Sequence, residues 1–274
     1  MLTLLHTSPV HVPVFDALRD EDSPGTVLRH LVHPDLLDRA REEGPEAVGT
    51  AVRDVLATAA GEGAAAILCT CSTIGAVAEE AAVAVGVPVL RVDRPMAAAA
   101  VAAGSRVTVL ATVQSTLRPT ADLIAEEAAR ADSKVSVVTR VVPGAWDLFE
   151  AGDQEGCDDA VATAVRAARR EAFPGGDGER ADAIVLAQAS MASAAERVGD
   201  GAAVDDGAEA GDGPVGDAAA GGSGPDGPGA DGAEVGGCGT NASGADDVRS
   251  PYGIVLSSPR LGLRAAVRQL TGTA

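Results

Sequence analysis

Two short strings carry the side chains most able to do chemistry. The first is Cys69-Thr70-Cys71-Ser72-Thr73 and the second is Gln188-Ala189-Ser190, and each directly follows a short apolar run of strand type. A buried strand that ends abruptly in small nucleophilic and hydrogen-bonding residues is how an open α/β sheet presents chemistry to a ligand. Cys71 is the leading candidate. An ordinary thiol titrates near about 8.5, and a helix N-terminus with a hydrogen-bonding loop can lower that value enough to make a base or nucleophile near neutrality. Cysteine is also among the residues most often buried for packing alone, so residue type by itself leaves both roles open. Cys69 shares a strand face with Cys71 and is expected to be core.

Other titratable groups offer less. No second Cys or His pair stands at ligand spacing, so Cys-Thr-Cys is not a metal motif. His6, His11, His30 and His33 crowd the start of the chain without a carboxylate or cysteine pattern around them, and are expected to be solvated or internally satisfied. The single lysine, Lys134, stands at the start of a strand run rather than at its end, which argues against a pyridoxal Schiff base. No cofactor and no metal are expected. Cys157 begins a helical run and Cys238 lies in a polar tract; neither has a partner in sequence.

The elements that must position Cys71 and Gln188 are legible from periodicity. Strand-like runs at 2–7, 26–32, 64–70, 87–92, 106–112, 134–142, 181–187 and 252–258 alternate with Ala-rich helical stretches. That alternation means a mainly parallel sheet architecture. The second half also repeats the first. LTLLHT lies on VTVLAT at a shift of 105, placing Thr7 opposite Thr112; AVGTAVR lies on AVATAVR at 113. Ala65 to Glu79 lies without a gap on Asp182 to Glu196 at 117, and Val89 to Val101 lies on Val255 to Val267 at 166. The expected fold is therefore α/β: two similar open parallel-sheet lobes related by an approximate two-fold axis, with the strand ends of both lining a cleft. Lobe 1 is expected to span 1–93, completed by a C-terminal helix at 261–274, and lobe 2 to span 94–260. The helix from Arg94 to Ala103 would pass from one lobe to the other.

The jump from 117 to 166 locates an insertion near 199–247, rich in Gly, Ala and Asp. Its composition cannot bury enough surface to offset ordering entropy, so a disordered acidic loop is expected there. Between Asp200 and Asp247 about eleven carboxylates stand with no Lys or Arg, the larger part of a formal net charge of −19. An acidic surface with few aromatics excludes nucleic acid and anionic membrane as expected partners. The sequon at Asn241 carries no weight without a secretion signal, and the absence of a basic-then-apolar leader or a long apolar run makes a cytoplasmic protein the expectation. The oligomeric state is left open, a homo-oligomer included.

Taken together, TSPVHVPVFDAL, ILCTCSTIG, DRPMAAAAV, VLATVQSTLRPT, IVLAQASMA and VLSSPRLG resemble the aspartate/glutamate/hydantoin racemase superfamily, and within it the members carrying CTCST and LAQASM strings. The resemblance implies a two-lobed isomerase with cofactor-independent proton transfer at a carbon next to a carboxylate, one cysteine from each lobe facing the substrate. Cys71 matches the first of these cysteines. Ser72 and Thr73, with backbone N–H groups at the start of the following helix, are candidates for holding a substrate carboxylate, as are Thr7, Ser8, Thr112, Ser115, Thr116 and Ser190. The departure is at the mirror position, where Gln188 stands in place of the second thiol. A two-base racemase needs an acid and a base on opposite faces, and a neutral amide is neither. One cysteine could still serve decarboxylation, double-bond isomerisation, or carboxylate binding without chemistry. Arg94 and Arg260, mirrored after the fourth strand of each lobe, could bind a carboxylate or form surface salt bridges.

Overall fold

The apolar runs become eight parallel strands. The central runs Leu2–His6, Ala66–Cys69 and Ala183–Leu186 are buried along their whole length, as runs covered on both faces must be. The edge runs Leu28–Val32, Ser136–Val141 and Ile254–Ser257 are part-exposed, and the first two admit Arg29 and Arg140. The structure, a computed structural model, describes residues 1–175, 178–198 and 253–272. The tract expected to be a disordered insertion, with Cys238 and Asn241, lies outside the described residues.

The first half runs β1 (Leu2–His6), α1 (His11–Asp22), β2 (Leu28–Val32), α2 (Pro34–Glu43), α3 (Gly49–Gly61), β3 (Ala66–Cys69), α4 (Gly75–Glu80), α5 (Ala82–Val85), β4 (Val89–Arg91) and α6 (Arg94–Ala103). The second runs β5 (Arg106–Ala111), α7 (Gln114–Arg130), β6 (Ser136–Val141), α8 (Ala145–Glu150), α9 (Gln154–Arg170), β7 (Ala183–Leu186), α10 (Ala192–Val198), β8 (Ile254–Ser257) and α11 (Ser258–Thr271). The strands form two four-stranded sheets, ordered β2-β1-β3-β4 and β6-β5-β7-β8. The order is the same once each number is raised by four.

Register makes the equivalence quantitative. Leu2 pairs with Ala66 across β1 and β3, and Val107 with Ala183 across β5 and β7. Ile67 pairs with Val89 in the first sheet and Ile184 with Val255 in the second. These pairs differ by 105, 117 and 166, the offsets that align the two halves of the sequence. A one-residue slip would turn every side chain to the other face, so the agreement fixes which residues are true counterparts.

Each sheet is covered on both faces. Helices α2 to α5 bury Leu5, Ile67 and Cys69 on one side of the first sheet, while α1 and α11 bury Leu2, Leu4, Ala66 and Leu68 on the other. In the second, α6 and α7 pack on Val107, Val109 and Val185, and α8 to α10 on Leu110, Ile184 and Leu186. The helix that follows each fourth strand thus covers the opposite sheet. Gly262 of α11 shows how closely this is done: a Cβ there would meet the Val92 carbonyl oxygen at 2.5 Å.

Candidate active site

Parallel sheets present their ligands at the carboxyl ends of the strands. Here the strand ends of the two lobes enclose a cavity of about 280 Å³. Cys71, in the turn after β3, lines it from the first lobe; Gln188, in the turn after β7, lines it from the second. Cys71 is half-buried, whereas Cys69 is fully buried and its thiol is pushed up by desolvation. The Cys69 Sγ donates weakly to the Cys71 carbonyl at 3.6 Å. Only Cys71 of the pair is available to a ligand.

Gln188 is held in one orientation. Its Oε1 accepts from the Thr112 backbone N–H at 2.6 Å and from the Thr112 Oγ1 at 2.9 Å. A backbone N–H can only donate, so the amide oxygen is assigned and the Nε2 remains as donor. Among the described residues Nε2 has no hydrogen-bond partner.

Thr7, Ser8, Thr73, Thr116 and Ser190 also line the cavity. Thr112 does not reach it, being buried and engaged with Gln188. Nor does Ser115, which is exposed at the start of α7. Ser72 lines the cavity, but its hydroxyl donates to the Ala187 carbonyl at 3.1 Å and so ties the first lobe's turn to the second lobe's strand end. The helix start expected at Ser72–Thr73 lies at Gly75, and α4 is only six residues long.

The turn bearing Cys71 rests on a buried ion pair. Arg91 donates to Asp93 through Nε at 2.7 Å and Nη2 at 2.9 Å, and Nη2 reaches the Ser72 carbonyl at 3.5 Å. Gly75 permits this approach, since a Cβ there would lie 3.0 Å from the Arg91 Nε. The second lobe supports its turn differently: Asp158, buried on α9, accepts from the Gln154 Nε2 and the Ser193 Oγ, both at 2.8 Å, and Gln154 also donates to the Ser190 carbonyl at 3.2 Å.

The histidines form a first-lobe network. Thr70 Oγ1 donates to the Leu5 carbonyl at 3.1 Å and accepts from His6 Nδ1 at 2.8 Å, so His6 Nε2 accepts from His30 Nδ1 at 2.8 Å. Burial, with the neighbouring histidines, lowers His6 to about 3. His11, at the start of α1, lines the cavity, and burial lowers it to about 4, so its ring is neutral at pH 7. Arg94 and Arg260 are both engaged by carboxylates, Arg94 by Glu79, Glu126 and Glu127 and Arg260 by Glu21 and Asp22.

The sequence matches the model of the Asp/Glu/Hydantoin racemase family over residues 13–211. The chain belongs to this family. Its fold is similar to that of glutamate racemase from Bacillus anthracis, with a TM-score of 0.59 at 14% identity over 100% of this chain and 83% of the other. An aspartate racemase homologue from Pyrococcus horikoshii matches with a TM-score of 0.55 at 11% identity, covering 98% of both chains. A cysteine-for-glycine mutant of arylmalonate decarboxylase in a sulfate-associated form matches at 0.53 and 16% identity over 100% and 94%. Among curated proteins none matches in sequence.

Within this family member, several cavity residues escaped the sequence reading. His11 had a signal, because the shift of 105 places it opposite Thr116. Asp38 and Arg41 of α2, and Trp146, Phe149 and Glu150 of α8, had none. The Arg41 guanidinium lies 4.9 Å from the Trp146 ring centroid and makes no ion pair with the described residues. The only tryptophan of the chain therefore reports on the cavity. Among the described residues no helix is long and apolar enough to cross a membrane.

Proposed function

We propose that this chain is a cofactor-independent enzyme that transfers a proton at the carbon next to a carboxylate of a small, amino-acid-like substrate, with Cys71 as its single catalytic thiol. One observation carries the reading: Cys71 and Gln188 line one cavity from opposite lobes, and Gln188 is fixed as a hydrogen-bond donor. Charge that develops on the carboxylate as the carbon becomes planar would be met by Gln188 Nε2 and by the hydroxyls of Thr73 and Ser190. Arg41 at the cavity wall supplies one cation that can pair with a substrate carboxylate, beside the carboxylates of Asp38 and Glu150. Neutral His11 can accept or donate one hydrogen bond without adding charge.

A thiol on one wall and an amide on the other reach the carbon unequally. Cys71 delivers its proton to one face; Gln188 cannot take one from the other. This favours reactions with a single stereochemical outcome over racemisation. Decarboxylation of a carbon bearing two carboxylates fits as a second reading, supported by the same fixed donor: one C–C bond breaks and that carboxylate leaves as CO2, the electron pair stays as an enediolate of the remaining carboxylate, the Cys71 S–H proton goes to carbon, and a proton from solvent restores the thiol. Small carboxylates are the expected ligands, with neither nucleic acid nor membrane.

The test is proton exchange in deuterated water with a panel of 2-amino and 2-substituted mono- and dicarboxylates, followed by NMR. Deuterium should enter at the 2-position with one configuration, and Cys71→Ala should lower the rate by about 10²-fold or more. Gln188→Cys should add a second proton route and erode the configuration. Racemic product from the wild type, or a rate indifferent to Cys71, would sink the proposal.

A further inference from the structure

The histidine network of the first lobe has no part in the chemistry at Cys71 as described so far, yet it runs from the cavity to solvent. Thr70, which follows β3, lines the cavity, and its Oγ1 accepts from His6 Nδ1 of β1 at 2.8 Å. His6 Nε2 accepts from His30 Nδ1 of β2 at 2.8 Å, and His30 Nε2 faces the Asp16 carboxylate of α1 at 3.5 Å. His6 is fully buried, whereas the Asp16 side chain is 42% exposed. Three further side chains, all on α1, face this path: His11 and Phe15 beside the His6 ring, and Arg19, 3.3 Å from Asp16.

Proton order along the path is set at its inner end. Because the Thr70 hydroxyl donates to the Leu5 carbonyl, each histidine carries its proton on Nδ1. His30 Nε2 is then a buried lone pair without a hydrogen-bond partner, directed at a carboxylate oxygen. That arrangement attracts a proton from outside. A proton arriving there lets His30 release its Nδ1 proton to His6, His6 release its own to Thr70, and Thr70 release its hydroxyl proton into the cavity. The path is left in the reverse order, with Thr70 donating to His6, His6 to His30 and His30 to Asp16. The Leu5 carbonyl still accepts from the Thr70 backbone N–H at 2.9 Å, so the reverse order strands no buried group. A proton leaving the cavity restores the first order.

The duplication supplies a control. Register and offsets place Ala187, Ala111, Thr139 and Ala121 at the counterparts of Thr70, His6, His30 and Asp16. The path therefore belongs to the lobe that carries the thiol and is missing from the lobe that carries the amide.

We propose that Thr70, His6, His30 and Asp16 form a proton relay connecting the Cys71 cavity with bulk solvent. The inference rests on the reading of Cys71 as the proton-transferring thiol. The Cys71 thiolate takes the proton from the substrate carbon and passes it through cavity water to Thr70, and the relay discharges it at Asp16. A solvent proton then enters by the same path, reprotonates Cys71 and is delivered to carbon. One outward and one inward passage leave the relay in the order in which it began, so no imidazole has to turn over in a packed interior. Burial holds His6 to about 3, so it hands a proton on rather than keeping it. All four are positioning residues that act through Cys71.

Deuterium exchange by the full chain into the same panel of 2-amino and 2-substituted carboxylates tests this, because the relay is the route by which solvent deuterons reach Cys71. Asp16→Asn, at a partly exposed position, and His30→Gln should each slow exchange at saturating substrate by about tenfold or more and leave KM unchanged. Imidazole and its methyl derivatives should restore exchange to the His30→Gln protein, at rates that follow buffer basicity, and should leave the wild type unaffected. A role in packing alone predicts no such dependence. Wild-type rates in both variants, or a loss that no buffer restores, would overturn the relay and leave the Cys71 reading standing. Absence of exchange by the wild type across the panel would overturn both.

Discussion

The two lobes share strand order and register residue for residue, yet their strand-end turns are supported by unlike chemistry. In the first lobe a buried Arg91–Asp93 pair underlies the Cys71 turn and a Thr70–His6–His30 chain fixes the strand beside it. At the counterpart positions the second lobe has Ser257, Pro259, Ala187, Ala111 and Thr139. It holds its Gln188 turn instead from α9, through Asp158, Gln154 and Ser193. Backbone pairing depends on which residues are apolar and on their alternation, and so survives wide divergence. Side-chain networks depend on particular atoms, and each half has built its own.

The comparison can be broken at its strongest point first. Asp93→Ala would leave the Arg91 charge buried without a partner, and should lower unfolding free energy by about 3–5 kcal/mol in urea melts. A loss no larger than that of a surface substitution would mean the pair does not support the turn. Acid should act next. His6 binds its proton more weakly folded than unfolded, so the stability it contributes is full above about pH 6.5 and falls as pH drops toward about 3, amounting to roughly 2 kcal/mol by pH 5. Hydrogen exchange at pH 7 and pH 5 should show β1 and β2 loosening ahead of β5 and β6, where the counterparts do not titrate; simultaneous loosening would dissolve the contrast. The smallest effect belongs to the second lobe. Ser193→Ala removes one hydrogen bond to a carboxylate that keeps Gln154, and should cost about 1 kcal/mol.

Most of the fold was legible because the strands are nearly continuous apolar runs and the repeat could be aligned without gaps where it mattered. The paired residues Leu2–Ala66 and Val107–Ala183 reproduce offsets visible in the sequence alone. Strand-end strings brought Cys71, Thr73, Gln188 and Ser190 to one cavity for the same reason. Positions at helix starts were harder. Successive helical residues point about 100° apart, so Thr116 turns inward while its neighbour Ser115 faces solvent. Thr112, expected to bind substrate, lies behind Gln188, which takes both its N–H and its hydroxyl. Arg41, Trp146 and Glu150 come from connecting helices whose position over the cavity depends on loop lengths and packing, which no local pattern records.

The exchange of covering helices bears on synthesis. Part of the cover of Leu2, Leu4 and Leu68 is Leu263 and Ala266 of α11, which are made long after them. That face of the first sheet must therefore wait on the ribosome partly bare until α11 has emerged. Severing the two halves would not yield two small stable proteins, and a circular permutant that places α11 ahead of β1 should shorten that wait.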